Sequence, residues 1–269
     1  SQPAVLSIMR LISLPEGAIE MAMNAFEIYK TAWGIYKENW KMLAISGFLT
    51  FFLSILIAVP LLATIVAMYF IAMPAAQMDP LLPPLAMAAY FLLVGLTVMA
   101  SGIVKGALFG VCYEARQEEK LEWGRVFHWM KVRWKAFAGI ALIQLIVVLL
   151  VQAPFTITGV LVAGATGIEL LAPAITLFAI PLLILIANVM ALALPKTVAE
   201  FTGTFESLSG GVRAAIARPA QFILLLIIML FASLLTIIPF AGMLVVDPIN
   251  TTAFVAFYME GKKQARRKR

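Results

Sequence analysis

Six long apolar stretches divide this chain, at about 43–73, 85–112, 136–165, 170–195, 219–238 and 241–258, and all 20 Lys and Arg residues fall on one side of them. The head carries Arg10, Lys30, Lys37 and Lys41. The second gap runs from Lys105 to Lys135, the fourth holds Lys196, Arg213 and Arg218, and the tail holds Lys262 to Arg269. The gaps after the first, third and fifth stretches contain no basic residue. Each stretch is long enough to cross a hydrocarbon core of about 30 Å, and basic loops mark the cytoplasmic side. The pattern predicts an all-α, polytopic protein of the cell membrane, with six transmembrane helices and both termini cytoplasmic. An odd number of spans would put the basic tail on the wrong side.

The rest of the composition agrees. Hydrophobic residues make up 63% of the chain and charged residues 13%, against roughly 25% charged in a soluble domain. The net charge of +6 therefore reads as an orientation signal rather than a nucleic-acid footprint. The block Lys262, Lys263, Arg266, Arg267, Lys268 and Arg269 stops transfer after the last span. It also suits anionic lipid head groups, which attract juxtamembrane basic residues by roughly 1 kcal/mol per charge. Cys112 is the single cysteine, which excludes an intrachain disulfide and suits an apolar filler role. The first 15 residues carry one charge and an apolar run broken at Pro15, unlike a cleavable signal peptide.

These features divide the chain into a cytoplasmic or interfacial head at 1–41, a bundle at 42–260 with interfacial inserts at 121–135 and 203–218, and a basic tail at 261–269. In the head, Phe26, Tyr29, Trp33, Tyr36 and Trp40 fall within an arc of about 80° on a helix. Glu27, Lys30, Lys37, Glu38 and Lys41 occupy the other faces. Such a helix lies in the membrane interface. Trp123, Val126, Phe127, Met130 and Trp134 repeat the device in the first insert. Phe205, Leu208, Val212 and Ile216 repeat it more weakly in the second. Trp123 and Trp134 join the head aromatics as expected interface anchors.

The recurrence suggests a threefold unit of interfacial helix, span out, outer turn and span back. Asn39-Trp40-Lys41 matches Arg133-Trp134-Lys135, with Arg218-Pro219 in the third place. The returning spans end in Cys112-Tyr113-Glu114, Val198-Ala199-Glu200 and Tyr258-Met259-Glu260. The outer loops are short, with Asp79 and Glu169 as their charges, joined by Asp247 if the last outer turn extends to it. Residues 155–168 either lengthen the third span past a kink at Pro154 or form a re-entrant piece; the long helix, turning near Ala165-Thr166-Gly167, is the expectation.

No catalytic constellation stands out. His128, the one histidine, has no acidic or nucleophilic partner at helical spacing. No phosphate loop, metal-ligand spacing or nucleophile elbow is present, and no cofactor is expected. Polar residues inside the spans are the better candidates, because ionisable groups at depth are costly. Asp247 precedes Pro248, which frees a backbone carbonyl, and Asn250, Thr251 and Thr252 follow. Two readings stay open. Asp247, Asn250 and Asn188 line a polar path, or residues 239–248 form the outer turn with Asp247 among head groups. The second is the expectation. Gln144, Gln152 and Asn188 suit interhelical hydrogen bonds, and Lys105 can snorkel to the cytoplasmic boundary.

The aromatic head ending in "YKENWKML", the six spans and the last hairpin "IIPFAGMLVVDPINTTAFVAFY" together resemble the six-span membrane domain fused to glycerophosphodiester phosphodiesterases and its stand-alone prokaryotic relatives. The motifs are the Asn39-Trp40 entry, the Pro239-x-x-Gly242 turn and the Pro248 to Tyr258 exit, within roughly residues 20–260. That family's catalytic residues belong to a separate soluble barrel, so the resemblance implies architecture and location rather than activity. The function expected is non-enzymatic: binding or organising membrane lipid, or serving as a subunit with other membrane chains or further copies of itself. A small transporter or channel is the alternative.

Overall fold

The computed structural model describes residues 16–67, 82–117, 121–122, 124–237 and 240–267. Trp123, Asp79, Pro239 and residues 1–15 lie outside the described residues, as do Lys268 and Arg269. Among the described residues ten α-helices follow one another: α1 Glu16–Glu38, α2 Trp40–Ala67, α3 Leu82–Arg116, α4 Arg125–Thr166, α5 Leu171–Leu177, α6 Ala179–Ala191, α7 Ala193–Glu200, α8 Thr204–Ala217, α9 Pro219–Ser233 and α10 Asp247–Arg267. A 3₁₀ turn, Leu234–Ile237, extends α9, and a π-helical turn, Gly242–Val246, leads into α10. Among the described residues five helical segments are long and apolar enough to cross a bilayer, or six if the bent pair α8–α9 counts as one span.

Prolines set the breaks. A proline has no N–H for the carbonyl four residues back. Pro181 deprives Leu177 and Pro195 deprives Ala191, and α5 and α6 end at those two residues. The segment Leu171–Glu200 still reads as one apolar span. Pro219 disfavours a helical conformation at the residue before it. Arg218 accordingly sits at φ −143° and ψ 60°, and the axes of α8 and α9 differ by 97°. Pro248 deprives Leu244, whose carbonyl instead accepts the Tyr36 hydroxyl at 2.9 Å.

Two expectations change in form. The insert expected at 121–135 is not a separate interfacial helix from Arg125 on. Those residues are the first turns of α4, which continues to Thr166 with Gly139, Pro154, Gly159 and Gly164 inside it. This also settles residues 155–168 as helix up to Thr166, with Gly167 closing it at φ 71° by donating to Ala163. The expected head helix is present as α1, but its aromatic stripe divides. Tyr36 is buried and Tyr29 half-buried, while Phe26, Trp33 and Trp40 are exposed. The packing face is instead Ala25, Ile28, Ala32 and Tyr36, which meets α9 and α10. Small residues let backbones approach, so they go inward and the bulky rings go out. The helix α8 follows the same rule. Ser207, Gly211 and Ala215 pack inward, whereas Phe205 is 80% and Ile216 70% exposed.

The core gathers around α10. Ile249 and Ala253 to Phe257 are buried there against Ala107–Cys112 of α3, Phe222 and Leu225 of α9, and Ala25 and Ile28 of α1. The pair α3–α4 joins through Gly102, Gly106 and Gly110. A Cβ at any of these would collide with Ala141, Phe137 or Trp129 respectively. Polar groups fasten the same end. Glu114 accepts from Trp129 Nε1 at 3.0 Å and lies 3.3 Å from Arg125. Glu200 accepts from the Tyr258 hydroxyl at 2.8 Å and from Lys262 at 2.9 Å. Arg133 donates to the carbonyls of Thr197 and Thr202 at 2.9 and 2.8 Å, closing the end of α7. Away from this end, α2, α3, α4 and α5–α6 carry large exposed apolar side chains, among them Leu56, Leu62, Leu92, Leu150, Leu161 and Phe178. A surface of that size and character belongs against lipid or another apolar chain.

Candidate binding cleft

A cavity of about 930 Å³ opens between α2, α6 and α9, over a floor made by α3 and α10. Its walls are aliphatic and aromatic: Phe51, Ile184, Leu185, Ile223, Ile227 and Leu230. Polar groups from all five helices interrupt this lining: Thr50, Ser54, Ser101, Lys105, Asn188, Ser233, Asp247, Asn250 and Thr251. The wall residues Phe51, Ile184, Ile223 and Ile227 are also among the exposed hydrophobic side chains, so the cleft is open along its side. A mostly apolar cavity with a few convergent polar groups is the usual form of a small-molecule site.

The three residues expected on a polar path, Asp247, Asn250 and Asn188, all line this one cavity. Asp247 stands in the first turn of α10, just after the π-helical turn, whose backbone runs into it without a gap. Its surface is accessible although protein surrounds most of it, as befits a group facing a cavity. Lys105 of α3 is near enough for its charge to act on Asp247. Among the described residues, however, no ion pair of 4.0 Å or less joins the two. Asn250 is held from both sides. It accepts from the Tyr29 hydroxyl at 3.3 Å and donates to Ser233 Oγ at 3.4 Å. Tyr29 thus ties α1 to the cleft floor, and burial pushes its hydroxyl pKa up from the ordinary value of 10.0. Asn188 turns its amide back to the carbonyl of Ile184 at 2.8 Å.

The expected anchors take other places. Trp40 and Trp134 are exposed, each with the following lysine over its ring, Lys41 at 5.8 Å and Lys135 at 5.7 Å. Their settings differ, because Trp40 opens α2 after a break at Asn39 while Trp134 lies inside α4. Trp33 stacks on Tyr36 at 5.8 Å, and Phe26 faces outward.

Thr50 and the serines Ser54, Ser101 and Ser233 are cleft residues that sequence reading did not single out, while Lys105, read there as snorkelling to the cytoplasmic boundary, lines the cleft as well. A lysine well inside an apolar stretch was a signal for Lys105, since charge at depth defaults to function. The serines gave none, because a hydroxyl can bond to the carbonyl one turn back, as Ser54 does to Thr50 and Ser233 to Met229. No protein-family model, no curated protein and no solved structure matches this chain.

Proposed function

We propose that this chain is a non-enzymatic integral membrane protein that takes a lipid into the cleft between α2, α6 and α9. The supporting observation is the cleft's lining, in which polar groups from all five helices converge beside aliphatic and aromatic side chains that are exposed along one side. An amphiphile entering sideways from a bilayer meets apolar walls with its chains and polar groups with its head. The apolar flanks of the long helices supply the surrounding lipid contact, or a face for a partner chain or a second copy. The basic tail adds contact with anionic head groups.

The proposed topology has six passes, with α8 lying at the interface before α9 and both termini cytoplasmic. The one-sided distribution of the 20 basic residues supports it. In a Cys112→Ala background, Asp79→Cys and Gln264→Cys should label from opposite faces of the membrane; labelling from one face would refute the six-pass arrangement. The threefold repeat and kinship with the glycerophosphodiesterase membrane domain in prokaryotes belong to the same proposal and rest on the short motifs around Trp40, Trp134 and Pro248.

Lipid binding is tested by purifying the chain in mild detergent and measuring phospholipid retained per protein. Wild type retains lipid, and Ile227→Trp, which fills the cleft wall, releases it. Equal retention by both would overturn the proposal. The second reading, a small transporter, draws on the convergence of Asp247, Asn250, Asn188 and Lys105 on one cavity. It requires a solute or ion flux in reconstituted vesicles that Asp247→Asn abolishes with insertion intact.

A further inference from the structure

Two opposite charges face the cleft from neighbouring helices, Lys105 on α3 and Asp247 on α10. They sense one another but, among the described residues, do not form an ion pair within 4.0 Å. The remaining polar groups of the lining, Thr50, Ser54, Ser101, Asn188, Ser233, Asn250 and Thr251, are neutral. Separated charges in a low-dielectric site are costly unless each meets a counter-charge. An anionic head group would satisfy Lys105 and meet repulsion from Asp247. A simple amine would do the reverse. A head group carrying both signs satisfies the two together.

We infer that the polar floor of the cleft receives a zwitterionic phospholipid head group, with Lys105 holding the phosphate and Asp247 the ammonium. The assignment rests on the lipid-binding reading above and adds the head-group class. Lys105 presents an ammonium to the phosphate oxygens, and the carboxylate of Asp247 accepts charge-assisted hydrogen bonds from a primary amine. The neutral asparagines and serines complete the shell without favouring either sign. The acyl chains leave along Phe51, Ile184, Leu185, Ile223 and Ile227, where the cleft is open. Phosphatidylethanolamine is the simplest probe with both groups, and phosphatidylglycerol supplies the phosphate without the amine.

The experiment is competitive binding to the full chain in detergent, read by native mass spectrometry, with phosphatidylethanolamine, phosphatidylglycerol, a long-chain alkyl phosphate and a long-chain alkylamine. Phosphatidylethanolamine should bind about tenfold tighter than each of the others, the loss of one charged hydrogen bond being of that order. Asp247→Asn should erase its advantage over phosphatidylglycerol, and Lys105→Gln its advantage over the alkylamine. Binding of all four probes with equal affinity, or a preference for phosphatidylglycerol, would overturn the head-group assignment and leave the lipid reading standing. Binding of none would overturn both. The wild-type series decides the matter even where a charge variant does not fold.

Discussion

Around α10 the helices meet through small residues and buried rings; beyond it α2, α3, α4 and α5–α6 run on with their large apolar side chains exposed. Phe109, Phe222, Phe254 and Phe257 form a ring cluster with centroids 5.6–6.5 Å apart at the first end. Leu56, Leu92 and Leu150 are 52%, 66% and 68% exposed at the second. The residue types are nearly the same, so hydrophobicity alone does not distinguish the regions. Glycine and alanine do. Gly102, Gly106 and Gly110 recur at every fourth residue of α3, and Ala25 and Ala32 mark α1. In a bilayer, lipid solvates a leucine as well as another leucine does, and close packing is what holds helices together. The packed end is therefore where this chain gains its specific structure, and the other end is shaped to meet the bilayer.

The comparison breaks first on truncations. Phe257→Ala removes a fully buried ring and should cost about 3–5 kcal/mol. Leu92→Ala, on the exposed flank of α3, should stay within about 0.5 kcal/mol because lipid or detergent refills the space. Gly106→Leu drives a side chain into the Phe137 ring and should cost about 1–3 kcal/mol or more, since the backbones must separate. Thermal unfolding in detergent, followed by size-exclusion fluorescence, measures all three. Comparable losses at Leu92 and Phe257 would mean that the two regions are not different in kind.

The next effect sharpens how α1 is attached. Tyr36→Phe keeps the ring and removes the donor to the Leu244 carbonyl. A half-buried acceptor left unpaired costs about 1 kcal/mol, so this variant should lower the unfolding temperature measurably. If the temperature does not move, the carbonyl freed by Pro248 has another partner and α1 is held by packing alone. Glu200→Gln is smaller. It weakens the links to Lys262 and Tyr258 without emptying the core. The partly exposed ion pair contributes about 1 kcal/mol or less, and added salt should narrow the gap from wild type.

Much of this was legible along the chain, because proline and apolar length act locally. The apolar stretches mark the long helices, and Pro219 opens α9 at the Arg218-Pro219 entry, whereas Pro60 and Pro154 lie inside helices that continue past them. The orientation of α1 was not legible. Its aromatic stripe covers an arc of one face, yet the face that packs is the one bearing Ala25, Ile28 and Ala32, and only the surfaces of α9 and α10 decide between them. The separate insert at 121–135 failed for a related reason. An aromatic stripe marks a boundary of polarity, and a helix can cross such a boundary without stopping, as α4 does even through Gly139 and Pro154. The cleft was half legible. Asp247, Asn250 and Asn188 were drawn from their polarity at depth, but their meeting with Lys105 depends on how α3, α6 and α10 are placed, which no local pattern encodes.

The smallest effect is a pH dependence confined to the packed end. Burial raises the hydroxyl pKa of both Tyr29 and Tyr36 above the ordinary value of 10.0, because a phenolate is poorly solvated there. The unfolded chain releases these protons first as pH rises. The unfolded state then binds fewer protons than the native one, so stability falls with pH in that window. Below 10.0 the contribution is fully present, and it is lost as pH climbs from there toward the folded-state values. Tyr29→Phe with Tyr36→Phe should flatten the alkaline limb of the stability curve while lowering its plateau, since the bonds to Asn250 and Leu244 go with the hydroxyls. Phe26→Leu, on the outward face, should leave both plateau and limb unchanged. An alkaline limb equally steep in the double variant would show that deprotonation elsewhere governs it, and that the tyrosines of α1 are not the groups through which the packed end senses base.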